Sequence, residues 1–304
     1  MSGAGTPRPP GDVLHKYLSA AGAIATLTNL KTRWSSPLSF NDPFDPFDSV
    51  GFGFELGELA PIIASRMQAL MGNDEPIPSG VVANLRAIVE QGRAFRRAGT
   101  LEKNLRSPIA AAKAGVENAR QSLIGINQRW KLMVRSMRIF CVSETFDDLL
   151  MWAHYAEMHR GAVLRFRYFP DRKDATLWEV APVSYQKAIP VIAETAEAWA
   201  DELFGTIPAD RGALLDRLVL TKSDHWKYER EWRCLGGDPL AQSGAQFDHW
   251  DFSPDEVSAI YLGCRILPEH QQAIVALARD KLPHAPVFRA RRTPRMFGLT
   301  FDPA

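Results

Sequence analysis

The sequence has few cysteines, and none of them lie close enough together to form a metal-binding motif. Its three cysteines, Cys141, Cys234 and Cys264, are far apart, and none belongs to a Cys-x-x-Cys pair. An odd number of widely spaced cysteines favours neither a disulfide framework nor a zinc site. The apolar residues around Cys234 and Cys264 predict buried thiols in the core.

The sequence also lacks a long apolar run. No segment approaches the roughly 20 apolar residues that a membrane-spanning helix needs. Residues 1–11 are rich in Gly and Pro and lack the hydrophobic centre of a signal peptide. We therefore expect a flexible leader over residues 1–12, a cytoplasmic location and no membrane partner.

An excess of basic residues is missing as well. The chain has 36 Lys and Arg against 35 Asp and Glu, a formal net charge of +1, whereas proteins that bind duplex DNA usually carry a basic excess. The densest basic stretch is near the end of the sequence. It fits either a phosphate or nucleic-acid contact or an ordinary solvated surface, and it contains Arg289, Arg291, Arg292 and Arg295.

Segments with the period of strands alternate with segments of helical period, and the chain has no glycine-rich phosphate loop. This pattern predicts an α+β fold with a mainly antiparallel core sheet and flanking helices. We expect one domain over residues 13–304, with a helical insertion at about 55–135. Strands are expected at 14–18, 34–38, 138–143, 162–168, 178–185, 226–235, 257–262, 285–290 and 296–301. Helices are expected at 20–30, 56–70, 81–97, 108–137, 147–160, 193–204, 209–224 and 268–281, with Gly161 in a left-handed position after the fifth.

The segment from Trp226 to Cys234 is the most informative for chemistry. On a strand, alternate residues share a face, so Glu229 and Glu231 would project from one side, flanked by Lys227 and Arg233. One interpretation is a solvent-facing surface of alternating charges, worth only about 0–1 kcal/mol for each ion pair. The other is a pair of positioned carboxylates. Such a pair suits reaction at an anomeric carbon, where a carboxylate stabilises an oxocarbenium-like state.

Residues near the start of the sequence are further candidates. His15 and Tyr17 share one face of the first strand, so they either contact a phosphate or ribose or belong to an ordinary amphipathic strand. Asn41 and Asp42 predict a locked turn, which is either structural or shapes a pocket wall.

The middle of the sequence adds candidates of a different kind. Ser143, at the exit of its strand, could face a ligand. His154 and His159 are five residues apart and do not share a helix face, so we expect structural roles for both. No metal site is predicted, because the acidic turn lacks the glycine and terminal glutamate of a calcium loop. That turn contains Asp42, Asp45 and Asp48.

Taken in order, these segments resemble the bacterial DUF2971 family. Its pattern comprises a Tyr-Lys-Tyr-like strand, an Asn-Asp-Pro-Phe turn, a Phe-Cys-Phe-Ser-Glu strand, a Leu-Met-Trp-x-His-Tyr helix, a Val-x-Tyr strand and a Lys-x-x-x-Trp-x-Tyr-Glu-x-Glu-Trp-Arg segment. The matching residues are 14–19, 41–44, 140–144, 150–161, 183–185 and 222–233. Val142 replaces the usual aromatic residue of the third motif.

The opening strand, the helix after it and the later Glu-bearing strand are also similar to the layout of ADP-ribosyltransferases. This resemblance implies that His15 or Tyr17 contacts NAD and that Ser143 lies near the nicotinamide ribose. It also implies that Glu231 is the catalytic carboxylate and that Glu229 positions the acceptor. Two residues, from the turn and from the helix, complete the expected NAD-binding set: Asn41 and Tyr155.

The function expected from the sequence is therefore an ADP-ribosyltransferase-like enzyme or NAD glycohydrolase that uses NAD as substrate. A toxin or antiviral defence effector is the biological role that this implies, with a protein or nucleic acid as acceptor. Two alternatives stay open at this point. One is a non-catalytic sensor module that binds a nucleotide or a protein, and the other is a nuclease effector.

Overall fold

A computed structural model of the protein describes residues 7–45, 49–100, 106–207, 210–237 and 245–304. Half of the expected leader, residues 1–6, and Asp48 of the acidic turn lie outside the described residues. The chain forms two compact units. The first comprises Met1–Pro46, Met133–Ile189 and Val219–Ala304, and the second comprises Phe47–Leu132 and Pro190–Leu218.

The first unit is organised around a large sheet. The described strands of this unit are β1 Val13–Leu18, β2 Lys31–Ser35, β3 Arg138–Ser143, β4 Ala162–Arg167, β5 Ala181–Pro182, β6 Ser184–Gln186, β7 Thr221–Ser223, β8 Glu231–Gly236, β9 Phe247–Asp251, β10 Val257–Leu262, β11 Val287–Arg292 and β12 Leu299–Pro303. Strands β6 and β7 pair with each other in a separate two-stranded sheet. Ten of these described strands form one sheet in the order β12-β11-β10-β4-β1-β3-β2-β9, with β8 also paired to β3 and β5 to β8. Every pair in this sheet is antiparallel except β10 with β11. The predicted mainly antiparallel sheet is confirmed.

Eight helices occur in the described residues, and α1, α5 and α8 belong to the first unit. They are α1 Ala20–Asn29, α2 Leu59–Gly72, α3 Ala83–Arg97, α4 Arg106–Ser136, α5 Leu149–Tyr155, α6 Ala196–Leu203, α7 Arg211–Val219 and α8 Pro268–Lys281. In the first unit, Leu27 of α1 and Ile274 of α8 pack with Leu14, Phe140 and Ile260 of the strands in one buried cluster. Local sequence sets the helix starts, because Ser19 accepts a hydrogen bond from the Gly22 N–H before α1 and Pro268 opens α8.

The second unit is helical in its described part and includes residues 55–132 of the region 55–135 that was expected to be helical. Along α2, Leu59, Ile63 and Met67 recur at helical spacing and are fully buried, which is the pattern of a core-facing stripe. Arg66 of α2 donates to Asp201 of α6 over 2.7 Å. Among the described residues, no helix is both long enough and apolar enough to cross a membrane.

The predicted strand over 226–235 is wrong in its first half. Ser223 begins a 3-10 helix over Asp224–Glu229, and Arg230 follows in a left-handed conformation with φ of 43°. The strand therefore starts at Glu231, and Glu229 is not a strand residue. The solvent-facing interpretation is also wrong, because Glu229 and Glu231 are 2 % and 6 % exposed and Arg233 is 1 % exposed.

Two other predicted strands begin or end elsewhere. Residues 178–185 form two short strands, β5 and β6, after a turn in which Glu179 has a φ of 57°. The strand predicted over 34–38 is β2, which ends at Ser35 because Ser36 and Pro37 start a 3-10 turn.

The predicted helix over 147–160 is also shorter. It ends at Tyr155, and Glu157, Met158 and His159 follow with positive φ angles of 50°, 54° and 65°. Gly161 is not left-handed. Glycine is needed there because a Cβ would lie 2.0 Å from the carbonyl oxygen of Leu18.

The two core thiols predicted from the sequence differ in burial. Cys234 is buried in the main core, as predicted. Cys264 is only half-buried, because it follows the end of β10 at Leu262 rather than lying within the strand.

Candidate functional site

A row of three side chains crosses the sheet at the centre of the first unit. His15 of β1 pairs with Ser143 of β3, and Ser143 pairs with Glu231 of β8. Directly opposed residues of antiparallel strands project from the same face, so the three side chains stand side by side. The sheet register thus brings together residues that are far apart in sequence and that were predicted separately.

This row borders a cavity of about 1080 Å³ that lies entirely within the first unit. All seven predicted site residues line it, namely His15, Tyr17, Asn41, Ser143, Tyr155, Glu229 and Glu231. Binding cavities for small molecules typically measure about 300–1,000 Å³, so the volume suits a ligand of dinucleotide size. The cavity is the place in the described structure where the predicted residues meet.

The topology explains why a cavity forms here. Strand β3 shares one edge between two partners, β1 at Ser143 and β2 at Ile139. Between these pairs the Cys141 carbonyl oxygen accepts a hydrogen bond from Lys16 Nζ over 2.8 Å. Strands β1 and β2 splay apart around this point, and the helix that connects them, α1, lines the cavity with Gly22, Ala25 and Thr26.

Five ionisable side chains form a buried charge cluster at one side of the cavity: Asp45, Lys222, Glu229, Glu231 and Arg233. Lys222 Nζ lies 2.5 Å from Glu229 Oε2 and 3.0 Å from Glu231 Oε2. Arg233 Nε donates to Glu231 Oε1 over 2.8 Å, and its Nη1 donates to Asp45 Oδ1 over 3.0 Å. With every group ionised, three carboxylates and two cations leave one net negative charge.

Polar residues of neighbouring elements extend the charge cluster. Tyr155 donates its hydroxyl to Glu229 Oε1 over 2.6 Å, and Asn41 Nδ2 donates to the same hydroxyl over 3.3 Å. The backbone N–H of Glu231 donates to the Tyr185 hydroxyl over 2.7 Å. Burial raises the pKa of Tyr155 and of Tyr185 above the usual tyrosine range, so both hydroxyls keep their protons.

The pKa values of Glu229 and Glu231 are shifted in opposite directions. Burial raises the pKa of Glu229, Lys222 offsets part of that effect and Glu231 adds to it, so the pKa lies above the ordinary glutamate value of 4.5. Burial alone would also raise the pKa of Glu231, but Arg233 and Lys222 outweigh it and the pKa is lowered. Glu231 is therefore a persistent carboxylate, and Glu229 is the member of the pair that can carry a proton.

His15 is a neutral imidazole in the cavity wall. Burial is the main reason why its pKa falls from 6.5 to about 4. Its Nδ1 lies 3.3 Å from the Ser143 carbonyl oxygen, while Nε2 is buried without a hydrogen-bond partner among the described residues. A buried polar atom of this kind ordinarily has a hydrogen-bond partner.

Two predicted ligand contacts have their hydroxyls engaged by the protein. Ser143 donates to the Glu229 carbonyl oxygen over 2.6 Å and accepts from the Thr145 N–H over 3.1 Å. Tyr17 donates to the Thr145 carbonyl oxygen over 3.1 Å and packs edge-on against Trp152. Ser143 thus holds the backbone of Glu229, and both residues hold the loop after β3 at Thr145.

Sequence reasoning missed several residues of this site. Lys222 opened one of the motifs, so a signal was present, but its contact with Glu229 depends on the 3-10 helix between them. Asp45 was weighed only as a member of a calcium loop, and Arg33 gave no chemical signal of its own. Strand β9 was not predicted, although Phe247 and His249 on it line the cavity. Among the described residues, no group of three or more His, Cys, Asp or Glu is arranged to hold a metal ion.

Comparison with known proteins gives one match. The family model described as "Protein of unknown function (DUF2971)" matches residues 151–234, a segment that includes Tyr155, Lys222, Glu229 and Glu231. No curated protein and no solved structure matches this chain. The match over residues 151–234 confirms the resemblance to the DUF2971 family that the ordered motifs indicated.

Proposed function

We propose that the cavity binds NAD and that the protein cleaves the bond between nicotinamide and ribose, passing ADP-ribose to water or to an acceptor. The observation that carries this proposal is the convergence of His15, Glu229 and Glu231 on one cavity of about 1080 Å³. Oxocarbenium-like chemistry needs a fixed negative charge near the anomeric carbon. Glu231 supplies that charge because its ion pairs keep it ionised.

The reaction assigns different roles to the two carboxylates. The bond from the ribose anomeric carbon to the nicotinamide nitrogen breaks, and its electron pair leaves with nicotinamide. A new bond forms between that carbon and an oxygen of water or the acceptor, and the proton of that oxygen passes to Glu229. Because the pKa of Glu229 is raised, it is the better proton acceptor of the pair.

Nicotinamide release tests the proposal directly. Purified protein is incubated with NAD, with and without cell lysate as a source of acceptor, and nicotinamide is quantified by chromatography. Glu231→Gln should remove the activity, whereas Glu269→Gln, on the exposed first turn of α8, should not. The proposal fails if the unmodified protein releases no nicotinamide, or if Glu231→Gln releases it at the same rate. Labelling of a macromolecule in the lysate would extend the proposal to a toxin or antiviral effector.

A second candidate, a non-catalytic nucleotide sensor, is favoured by one observation. Both oxygens of Glu231 are already held by Arg233 and Lys222, as in a structural ion pair. A sensor of this kind would be stabilised against heat by its ligand, following RT ln(1 + [L]/Kd), without producing nicotinamide. The chromatographic assay therefore separates the two candidates.

A further inference from the structure

The face of the β2–β9 ribbon that looks into the cavity combines cations with exposed aromatic rings. Ser35 pairs with Phe247, Arg33 with His249 and Lys31 with Asp251. Directly opposed antiparallel residues share a face, and five of these six residues line the cavity: Lys31, Arg33, Ser35, Phe247 and His249. None of them belongs to the charge cluster around Glu231.

The aromatic part of this face is open to a ligand. Phe247 is 45 % exposed although it lines a cavity. Its ring centroid lies 5.5 Å from that of His249 in an edge-on contact, and the Arg33 guanidinium lies 5.5 Å from the Phe247 ring centroid. On the other face of the ribbon, Trp34 and Trp250 pack with centroids 4.1 Å apart and support the strands. A ring that is 45 % exposed on a supported strand offers a stacking surface for a planar base.

The cations of the face are available for phosphate. Lys31 contacts Asp251 over 3.5 Å, but both side chains are substantially exposed, at 43 % and 83 %, so this ion pair is weak and exchangeable. Within the described residues, no carboxylate lies within salt-bridge distance of Arg33. Two cations spaced along one strand beside an aromatic ring match the diphosphate and base of a nucleotide.

We propose that the β2–β9 face binds a purine nucleoside 5′-diphosphate, with the base stacked on Phe247 and the diphosphate on Arg33 and Lys31. ADP is the part of NAD that carries the adenine base and both phosphates, so the inference deepens the proposed function. It rests on that function for the placement of the nicotinamide ribose near Glu231. Binding of ADP alone does not depend on any reaction.

Isothermal titration with ADP tests the subsite. Phe247→Ala should weaken ADP binding about tenfold or more, since stacking of one base on an aromatic ring is of that size, and Phe247→Trp should preserve binding. Arg33→Gln should weaken binding and reduce its dependence on salt. AMP should bind more weakly than ADP to the unmodified protein. Phe297→Ala is the matched control, because this phenylalanine is fully exposed and is not among the residues that line the cavity.

The outcomes separate this inference from the proposed function. If ADP does not bind at millimolar concentration, or if Phe247→Ala binds it as well as the unmodified protein does, the subsite is wrong even where nicotinamide is released. If ADP binds through Phe247 and no nicotinamide appears, the subsite stands and the catalytic proposal falls.

Discussion

Substitution of Lys222 by methionine isolates the contribution of one cation to the buried charge cluster. The side chain is 6 % exposed, and its Nζ lies 2.5 Å, 3.0 Å and 3.9 Å from oxygens of Glu229, Glu231 and Asp45. Methionine keeps most of the length of lysine but carries no charge. The variant therefore leaves three buried carboxylates with Arg233 as the remaining cation of the cluster.

The expected loss of stability is large. Removing one partner of a buried ion pair costs about 3–5 kcal/mol, because the remaining charge stays buried without compensation. A loss of that size lowers the melting temperature by roughly 10 °C for a protein of this size range. Double substitution Lys222→Met with Glu229→Gln should recover much of the loss, since it removes the carboxylate closest to the missing cation.

The loss should also depend on pH in a defined direction. Burial already raises the pKa of Glu229 above 4.5, and loss of Lys222 raises it further. Between pH 4.5 and the higher pKa of the folded state, Glu229 keeps its proton in the folded variant but has lost it in the unfolded chain. Stability consequently falls as pH rises through that folded value, so the variant should be least stable relative to the parent at pH 8 and closer to it at pH 5.

Urea denaturation followed by tryptophan fluorescence at pH 5 and pH 8 measures these differences. Lys281→Met is the control, because Lys281 is 41 % exposed and, within the part of the chain that the structure describes, pairs only with its neighbour Asp280. This variant should change stability by less than about 0.5 kcal/mol. The reasoning would be refuted by a Lys222→Met protein as stable as the parent at pH 8. A Glu229→Gln double variant no more stable than the single variant would refute it too.

Three further predictions concern the same unit. His15→Phe should flatten the dependence of stability on pH between pH 6.5 and 4. The His15 pKa of about 4 means that the parent loses roughly 3 kcal/mol of unfolding free energy over that interval, as the unfolded imidazole gains a proton. Equal shifts of the urea midpoint in both proteins would contradict this. Gly161→Ala should destabilise the protein or prevent folding, since the new Cβ meets the Leu18 carbonyl at 2.0 Å, whereas Gly125→Ala, with nothing nearer than 3.8 Å, should be tolerated in circular dichroism melts. If NAD is cleaved, kcat/KM should fall on the acidic side at a pH above 4.5 as Glu229 takes up its proton, and an acidic limb at or below 4.5 would exclude Glu229 as the base.

Elements with consistent local signals were predictable from the sequence. Strand β3 over Arg138–Ser143 and helix α8 over Pro268–Lys281 occur with the predicted bounds. Apolar and branched residues favour the strand, and a proline at the first helical position fixes the start of the helix. At these places the local preference and the final packing agree.

Elements that depend on distant partners were not predictable. Strand β9, with the sequence Phe-Asp-His-Trp-Asp, has mostly exposed and polar residues and is a strand because it pairs with β2. The interruption at Arg230 has no signal in the alternating charges around it. Asp45 and Arg233 are 188 residues apart in sequence, so their ion pair, which buries the charged face of β8, emerges only in the folded chain.

The shared edge of β3 has a consequence for how tightly a ligand can be held. Since β1 and β2 each leave β3 at a fixed residue pair, a large part of the cavity wall is hydrogen-bonded strand that the ligand does not have to order. Ordering a flexible side chain or loop on binding typically costs about 0.5–1.5 kcal/mol for each immobilised group, and much of that cost is already met when this sheet folds. A ligand of this cavity should therefore bind with a smaller entropic penalty than one that must close a lid, and with little change in backbone hydrogen exchange of β1, β2 and β3.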